Sequence, residues 1–272
     1  TAAQRDALLG ASERPSAAHV KVDTGMSRLG FTPDAFVEAS LRLSDAGIEV
    51  EGVLTHLASA DEPGDMSTRQ LDRFDEAVSA LDRRGLRPPL VHVASSAGLT
   101  VRRPGHTLVR PGLLLYGLRT RPLSPDIAVR PVMTVSADIS LVKEVAAGTP
   151  VSYGGEWVAS RPSRIATVPL GYADGVPRTR DMSEAGAFAV RGRRWPVAGK
   201  VCMDLTMLDV TDDGIVREGD EAVLFGDEPT AWDVAGWAGT TAWQVLTAIG
   251  PRVPRVYIEG GRIVEVKSRY RP

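Results

Sequence analysis

The sequence is poor in cysteine and in long apolar runs, and each shortage excludes a class of protein. Cys202 is the single cysteine among 272 residues, so an internal disulfide is excluded. No apolar run approaches the roughly 20 residues that a membrane-spanning helix needs. We therefore expect a globular protein of the cytoplasm that does not enter a membrane and needs no disulfide framework.

An excess of charge of one sign is also missing. Lysine and arginine together number 32, against 34 aspartate and glutamate residues, and the formal net charge is −2. A chain with this balance offers no strongly basic surface. We therefore expect neither nucleic acid nor an anionic membrane surface as the main partner.

No signal peptide and no helix start signal are evident at the N-terminus. The first residue is Thr1 rather than methionine, and residues 1–10 are typical of the interior of a helix. We therefore expect that the N-terminus has been cut.

Short apolar runs alternate with helical patterns from about residue 18 to residue 117. His56 follows Lys21 by 35 positions and His92 follows His56 by 36, which is the size of one strand-plus-helix unit. Ser67 and Gln70 have the spacing of a capping box at the start of a helix. The pattern predicts a parallel sheet or barrel, with strands at 18–23, 48–56, 90–94 and 107–116 and a helix at 32–46.

The second half has the period of two that is typical of half-buried antiparallel strands. Apolar and polar residues alternate from Val135 to Leu141, and turn signals separate the later apolar segments. The proline-rich stretch 119–131 is the natural boundary, so we predict domains at 1–120 and 121–272. Further strands are predicted at 165–170, 187–190, 195–197, 205–210 and 221–225, and helices only at 232–238 and 241–249.

Polar residues collect where the strands of the first half end. In a parallel barrel the loops after the strands build the site, so Lys21, Asp23, His56, Ser96 and Arg110 are expected to meet. Arg110 stands among apolar neighbours, and burying an arginine without a partner is costly. Lys21 and His56 each have an ordinary alternative, as a surface lysine and as a structural histidine.

Tyr153, within Val151-Ser-Tyr-Gly-Gly155, is a candidate general base. A phenol titrates near pH 10, so it removes a carbon-bound proton only where a site orients it and stabilises the carbanion. Ser96 and the amides of Gly112 and Leu113 could together hold a phosphate group.

The order of the motifs resembles that of the alanine racemase family. The resemblance implies a pyridoxal-phosphate enzyme with a (β/α)8 barrel followed by a mainly antiparallel β domain. It also implies a homodimer with shared active sites, an amino acid substrate and no metal ion. The motifs are Lys21-Val-Asp-Thr-Gly-Met-Ser-Arg-Leu-Gly30, Thr55-His56, His92-Val-Ala-Ser-Ser96, Val109-Arg-Pro-Gly112 with Tyr116-Gly117, Val151-Ser-Tyr-Gly154, Gly171-Tyr-Ala-Asp-Gly175 and Gly199-Lys-Val-Cys-Met-Asp204.

Several residues match positions at which the family binds its cofactor. Arg110 matches the arginine that faces the pyridine nitrogen, and His56 matches a histidine beside the ring that also bonds the catalytic tyrosine. Ser96, Gly112 and Leu113 match part of the phosphate site. A guanidinium keeps its proton, so Arg110 would leave the ring nitrogen unprotonated and disfavour side reactions.

Other residues match positions that act on the substrate. Tyr153 matches the base that takes the α-proton from the L-enantiomer in the active site of the other subunit. Arg28 and the Met203 amide match the groups that hold the substrate carboxylate. Lys21 matches a lysine that is often carbamylated and positions Arg28, and Tyr172 matches a tyrosine of the entryway.

Two departures from the family pattern stand out. The family carries its cofactor lysine in an Ala-Tyr-Gly motif on the first barrel strand, and this sequence has no such motif. Pro251 stands where many members have a phosphate-binding tyrosine. We therefore expect the C-terminal portion of a racemase, with barrel strands 5–8 and the β domain, that interconverts alanine enantiomers for cell-wall peptidoglycan only when the missing segment is present.

Three alternatives stay open. The pocket could accept serine or another amino acid, because its walls are loop residues that tolerate change. The chain could be an inactive fragment or an interaction module, although unpaired sheet edges weigh against a free-standing role. A pyridoxal-phosphate homeostasis protein fits less well, since those proteins lack a β domain.

Overall fold

A computed structural model describes residues 1–13, 15–120, 127–212 and 214–269. The chain forms two compact units, Thr1–Val129 and Arg130–Pro272. Residues 121–126, in the middle of the predicted linker, lie outside the described residues. In the part of the chain that is described, no helix combines the length and the apolar character that crossing a membrane requires.

The first unit is a parallel sheet with helices between its strands, as the spacing of the strand ends predicts. The four strands are hydrogen-bonded in chain order, from β1 to β4. The elements are α1 (Ala2–Gly10), β1 (Ala17–Lys21), α2 (Pro33–Asp45), β2 (Glu49–Leu54), α3 (Met66–Asp82), β3 (Leu90–Ser95), a 3₁₀ turn (Ala97–Val101), β4 (Leu108–Arg110) and α4 (Gly112–Leu115).

The core of this unit fills the space between the sheet and its helices. Val20 and Val22 are buried on one face of the first strand segment and pack with Phe36 of α2 and Phe74 of α3. Burying such side chains stabilises the unit by about 1.5–3 kcal/mol each. Because successive strand residues point to opposite faces, His19 and Lys21 are left on the other, polar face.

The start of α2 at Pro33, after Thr32, agrees with the prediction, but two other predictions for helix starts in this unit are wrong. The helix over residues 1–10 does have a start signal, since Thr1 and Gln4 form a capping box. Ser67 and Gln70 do not form one, because α3 begins at Met66 with Asp65 as its N-cap. Ser67 is instead buried within the first turn, and Gln70 serves other partners.

The strand predicted at 107–116 is shorter than expected. It ends at Arg110, and the short helix α4 begins at Gly112. Pro111 separates the two elements because it has no N–H to continue a strand ladder. The change of direction places the Gly112 and Leu113 amides beside the end of β3 rather than along a strand.

The second unit is built of antiparallel strands. One sheet has the order β11-β10-β13-β5, another β12-β9-β6, and two strand pairs complete the set, β7-β8 and β14-β15. Its elements are β5 (Val135–Asp138), β6 (Leu141–Val145), β7 (Pro150–Val151), a 3₁₀ turn (Tyr153–Gly155), β8 (Trp157–Val158), β9 (Ser163–Val168), α5 (Arg180–Ala185), β10 (Ala187–Val190), β11 (Arg193–Pro196), β12 (Thr206–Asp209), β13 (Glu221–Phe225), α6 (Ala231–Ala238), α7 (Ala242–Ala248), β14 (Arg255–Glu259) and β15 (Arg262–Lys267).

Three features of the second unit differ from the prediction. The alternation from Val135 to Leu141 is two strands in two sheets, because the chain crosses between the sheets at Ile139 and Ser140. Helix α5 was not predicted, although the Thr179 side chain caps it by accepting the Met182 N–H. The β14-β15 hairpin was also missed; its two-residue turn is Gly-Gly at positive φ.

Candidate functional site

Arg110 is the centre of the polar cluster in the first unit. Its Nη1 lies 2.6 Å from His92 Nδ1, and its Nη2 donates to the Thr55 and Val93 carbonyls at 2.8 and 3.0 Å. His56 Nδ1 lies 3.4 Å from the same Nη2. No carboxylate among the described residues pairs with this guanidinium. The ends of three neighbouring strands therefore hold a cation through neutral acceptors, and burial lowers the Arg110 pKa.

Asp23 shapes the loop that carries Arg28. Its Oδ1 accepts the backbone N–H groups of Gly25, Met26 and Ser27 at 2.9–3.0 Å. Burial alone would raise the Asp23 pKa, but these three donors lower it below its usual value. The carboxylate therefore stays charged and fixes the turn that returns the chain toward β1.

Lys21 and His56 share the positive surroundings of Arg28 and Arg110. The Lys21 pKa is lowered, first by burial and then by Arg28 and Arg110, although Asp23 acts in the opposite direction. The His56 pKa is also lowered, first by burial and then by Arg110, Arg28 and Lys21. Both side chains therefore favour their neutral forms more than they would in water.

Gln70 ties together two loops of the site, and sequence reasoning missed this role. Its Oε1 accepts the Ala58 N–H at 2.8 Å, and its Nε2 donates to the His56 carbonyl at 3.1 Å and to Thr24 Oγ1 at 3.3 Å. Gln70 is almost fully buried among the apolar side chains of α3. A glutamine at a core position of a helix was the available signal.

Replacing Gln70 with leucine is expected to lower the free energy of unfolding by about 2–3 kcal/mol. The variant keeps the apolar contacts but leaves the Ala58 N–H and the His56 carbonyl, whose hydrogen bonds to Gln70 are partly buried, without partners. Urea unfolding of Gln70→Leu measures the loss. The exposed Gln244→Leu serves as control and is expected to change stability by no more than about 0.5 kcal/mol; equal values for the two variants would contradict this role.

The predicted phosphate-binding groups lie next to one another after β3 and β4. Ser96 is buried, and its Oγ accepts the Leu114 N–H at 3.2 Å. No described residue accepts the hydroxyl proton of Ser96, which leaves that O–H able to donate. Gly112 and Leu113 form the first turn of α4, and a Cβ added at Gly112 would meet no other part of the protein within 4 Å.

Tyr153 lies on a strained loop of the second unit. Its side chain is 65% exposed, and the preceding Ser152 has a φ of +67°, which is uncommon for a residue other than glycine. Ser152 Oγ donates to the Lys200 carbonyl at 2.6 Å. Gly199 permits this approach, since a Cβ there would lie 2.7 Å from the Val151 carbonyl oxygen.

Met203 and Tyr172 lie on two loops that are joined by backbone hydrogen bonds. The Tyr172 and Ala173 N–H groups donate to the Cys202 and Met203 carbonyls, each at 3.0 Å. Both side chains are exposed, and no described residue accepts the Met203 N–H. The second unit therefore presents a phenol, a second tyrosine and a backbone donor from three connected loops.

Arg252 fastens these loops, and sequence reasoning missed this role too. Its Nε lies 2.9 Å from Asp174 Oδ1, and its Nη2 donates to Asp204 Oδ1 at 2.6 Å. Asp174 is buried and also accepts the Gly171 N–H through Oδ2 at 2.9 Å. The three residues are far apart in sequence, so no local pattern links them.

The structure thus brings the predicted site residues together in two groups, one in each unit. The first group contains Lys21, Arg28, His56, Ser96, Arg110, Gly112 and Leu113, and the second contains Tyr153, Tyr172 and Met203. Their individual roles stay predictions. His19 and His92 were not predicted as site residues, although both stand at polar positions of predicted strands.

His92 makes the stability of the first unit depend on pH. Burial, and then the charges of Arg110 and His19, lower its pKa from 6.5 to about 4. The unfolded chain then binds more protons than the folded one within this range. The stabilising contribution is fully present above pH 6.5 and is lost as the pH falls toward about 4.

We expect the His92→Gln variant to lose less free energy of unfolding than the parent protein across this pH window. Urea unfolding above and below this pH window gives, for each protein, the slope of the free energy of unfolding against pH. Because the carboxylates are common to both proteins, their titration cancels in the comparison. Identical slopes would show that His92 is not held neutral.

Comparisons with known proteins give a consistent family. Residues 1–120 match the family model "Alanine racemase, N-terminal domain", and residues 132–257 match "Alanine racemase, C-terminal domain". The alanine racemase of Thermobifida fusca is 44% identical over 256 residues, which cover 90% of this chain and 68% of that protein. The alanine racemase of Halothermothrix orenii is 43% identical over 249 residues, covering 88% of this chain and 65% of that one.

A solved structure gives the same result. An alanine racemase of Clostridium difficile 630 superposes with a TM-score of 0.85 at 35% identity, covering 93% of this chain and 67% of its own. The chain thus spans about two thirds of the length of the relatives that it matches. The predicted fold class is confirmed: a unit of the α/β barrel type is followed by a mainly antiparallel β domain.

Proposed function

Because the chain belongs to the alanine racemase family, we propose that it interconverts L- and D-alanine with pyridoxal phosphate, as part of a protein that works as a homodimer in the cytoplasm. The observation that carries the proposal is Arg110, a half-buried guanidinium that is held by neutral acceptors where three strands end. A cation of this kind suits a ring nitrogen that must stay unprotonated.

The residues of the first unit fit the cofactor in its ring and phosphate parts. Arg110 would hold the ring nitrogen, and His56 would contact the ring. The free O–H of Ser96, together with the Gly112 and Leu113 amides, would hold the phosphate. Bound pyridoxal phosphate supplies an electron sink for the charge that develops at Cα when the α-proton leaves.

Two groups orient the substrate carboxylate in this proposal. Arg28 pairs with it as a cation, and the Met203 N–H, which has no acceptor among the described residues, donates to it. Lys21 supports Arg28 after carbamylation. The lowered Lys21 pKa favours this modification, because the neutral amine is the form that reacts with carbon dioxide.

Tyr153 removes the α-proton from L-alanine at the active site of the neighbouring subunit. Its exposure within its own unit supports a role toward another chain. The lowered His56 pKa favours the neutral imidazole, and its Nδ1 lies 3.4 Å from the Arg110 Nη2 donor, so its Nε2 carries the proton and can donate a hydrogen bond to the phenol oxygen. Tyr172 lines the path by which substrate enters.

The second base and covalent anchor of the cofactor is a lysine, and we propose that it lies outside these 272 residues. The support is the absence of an Ala-Tyr-Gly motif from the sequence, together with the share of the relatives' length that the chain spans. In this proposal the 272 residues alone do not racemise alanine. Finding racemisation by this chain alone would contradict the requirement for that lysine.

Chiral chromatography of the full-length protein incubated with pyridoxal phosphate and L-alanine tests the proposal. We expect both enantiomers to reach equal concentrations, with serine converted more slowly. Arg110→Gln is expected to lower the rate strongly, whereas Arg42→Gln, on the exposed face of α2, is expected to leave it unchanged. Conversion of serine or another amino acid, but not of alanine, would refute the proposed substrate.

A further inference from the structure

Three side chains, those of His92, His19 and Glu51, connect Arg110 to the surface of the first unit. Arg110 Nη1 lies 2.6 Å from His92 Nδ1, and His92 Nε2 lies 2.8 Å from His19 Nδ1. His19 Nε2 lies 3.1 Å from Glu51 Oε2. This series of hydrogen bonds thus runs through side chains of strands β4, β3, β1 and β2, and it ends at the Glu51 carboxylate, which is about half exposed.

The chemistry of arginine fixes the position of every proton in this series of hydrogen bonds. A guanidinium has only donors, so His92 Nδ1 must accept. A neutral His92 then carries its proton on Nε2 and donates it to His19 Nδ1. His19 in turn carries its proton on Nε2 and donates it to Glu51. All three hydrogen bonds therefore point in the same direction, from the guanidinium to the carboxylate.

The backbones of β1 and β2 position the His19 and Glu51 side chains. Ala18 pairs with Val50 and His19 pairs with Gly52, so Glu51 is the additional residue of a bulge between β1 and β2. Bulges redirect a side chain at such a point. Gly52 makes room for the imidazole, since a Cβ there would lie only 2.5 Å from His19 Nδ1.

Burial keeps His92 in one protonation state. His92 is 4% exposed, and its pKa is lowered to about 4, first by burial and then by Arg110 and His19. It therefore remains neutral and keeps Nδ1 free to accept. The His19 and His92 rings meet edge to face, with centroids 5.0 Å apart, which fixes both planes.

We propose that Glu51, His19 and His92 form a directional hydrogen-bond relay that holds the Arg110 guanidinium in one orientation, with His19 and Glu51 as positioning residues. The relay supplies a negative end for a cation with which no carboxylate of the described residues pairs directly. Polarised chains of this kind strengthen each of their hydrogen bonds. Its meaning for catalysis rests on the proposed function, whereas the relay itself is a property of the first unit.

Nitrogen-15 NMR of the histidine side chains tests the relay directly. The 272 residues contain four histidines, so ¹⁵N-histidine labelling gives signals that single substitutions can assign. We expect His92 and His19 both to be neutral and protonated at Nε2 at neutral pH. A proton on His92 Nδ1, or a doubly protonated His92, would overturn the proposal.

Two glutamates of β2 provide a matched pair of variants. In Glu51→Gln the ring nitrogen resonances of His19 are expected to shift, with a smaller shift at His92, because the negative end of the relay is lost. Glu49→Gln removes the same charge two residues away on the same strand and is expected to leave both histidines unshifted. Equal spectra for the two variants would show that Glu51 does not belong to the relay.

Gly52→Ala tests the space reserved for the imidazole. We expect the His19 resonances to lose their coupling to Glu51, while circular dichroism shows a folded protein. If the variant fails to fold, the comparison of Glu51 with Glu49 still decides the matter. If His92 and His19 are both protonated at Nε2 but the protein has no racemase activity, the proposed function is refuted and the relay stands. If the protein is an active racemase but these histidines have other tautomers, only the relay is refuted.

Discussion

Replacing Tyr153 with phenylalanine in the full-length protein is expected to slow removal of the α-proton from L-alanine by about 10²- to 10⁴-fold. The change deletes the phenolic oxygen and nothing else. Tyr153 is largely exposed and its loop is held by the Ser152 hydrogen bond to the Lys200 carbonyl, so the variant should fold as the parent does. The loss therefore reports the chemistry of the hydroxyl group.

Exchange of the α-proton for solvent deuterium is the measurement that separates the two enantiomers. Net racemisation needs both bases and falls in both directions, whereas exchange on one face needs only the base on that face. We expect exchange into L-alanine to fall far more than exchange into D-alanine. If the variant kept the same fraction of its exchange rate for L-alanine as for D-alanine, Tyr153 would not be a base that acts on one face only.

Tyr257→Phe is the matched control for this experiment. Tyr257 is also an exposed tyrosine of the second unit, and it lies on the β14-β15 hairpin with Lys267 near its ring. Its substitution removes the same hydroxyl group from a place with no proposed role in the reaction. We expect its exchange rates to match those of the parent protein.

Periodic patterns predicted the parallel sheet because the forces behind them are local. Val20 and Val22 alternate with His19 and Lys21, and a two-sided strand of this type buries only its apolar face. The polar residues at the ends of the predicted strands also indicated that a site lies there. What it could not show is where a strand stops, since Pro111 turns β4 into α4 after three strand residues.

Tertiary partners explain why the other features could not be predicted. The spacing of Ser67 and Gln70 satisfies the local rule for a capping box, but the fold uses Gln70 to join two loops. Arg252 finds Asp174 and Asp204 across long stretches of sequence. Such contacts follow from topology, and a pattern within one helix or strand carries no information about them.

Gly171→Ala is expected to lower the free energy of unfolding by more than about 3 kcal/mol. A Cβ at this position would lie 2.3 Å from the Met203 carbonyl oxygen and 2.4 Å from that of Cys202. Both neighbours are backbone atoms. They cannot yield easily, because the same carbonyls accept the N–H groups of Ala173 and Tyr172.

Gly236→Ala is the control for this change. Gly236 lies inside α6 with open space around its Cα, so alanine there should stabilise the protein by about 1 kcal/mol through its higher helix propensity. Urea unfolding of both variants should therefore give shifts of opposite sign. Shifts of the same sign would show that the packing of Gly171 against the Met203 loop does not determine the stability of the second unit.

The Gly171 substitution also connects packing with the proposed reaction. A displaced Met203 backbone would no longer present its N–H to the substrate carboxylate, whereas Tyr153 sits on a separate loop. In protein that still folds, we therefore expect KM for alanine to rise by about tenfold, the loss of one hydrogen bond to a charged group, with a smaller change in kcat. An unchanged KM would remove the Met203 amide from the substrate site and leave Arg28 as the group that orients the carboxylate.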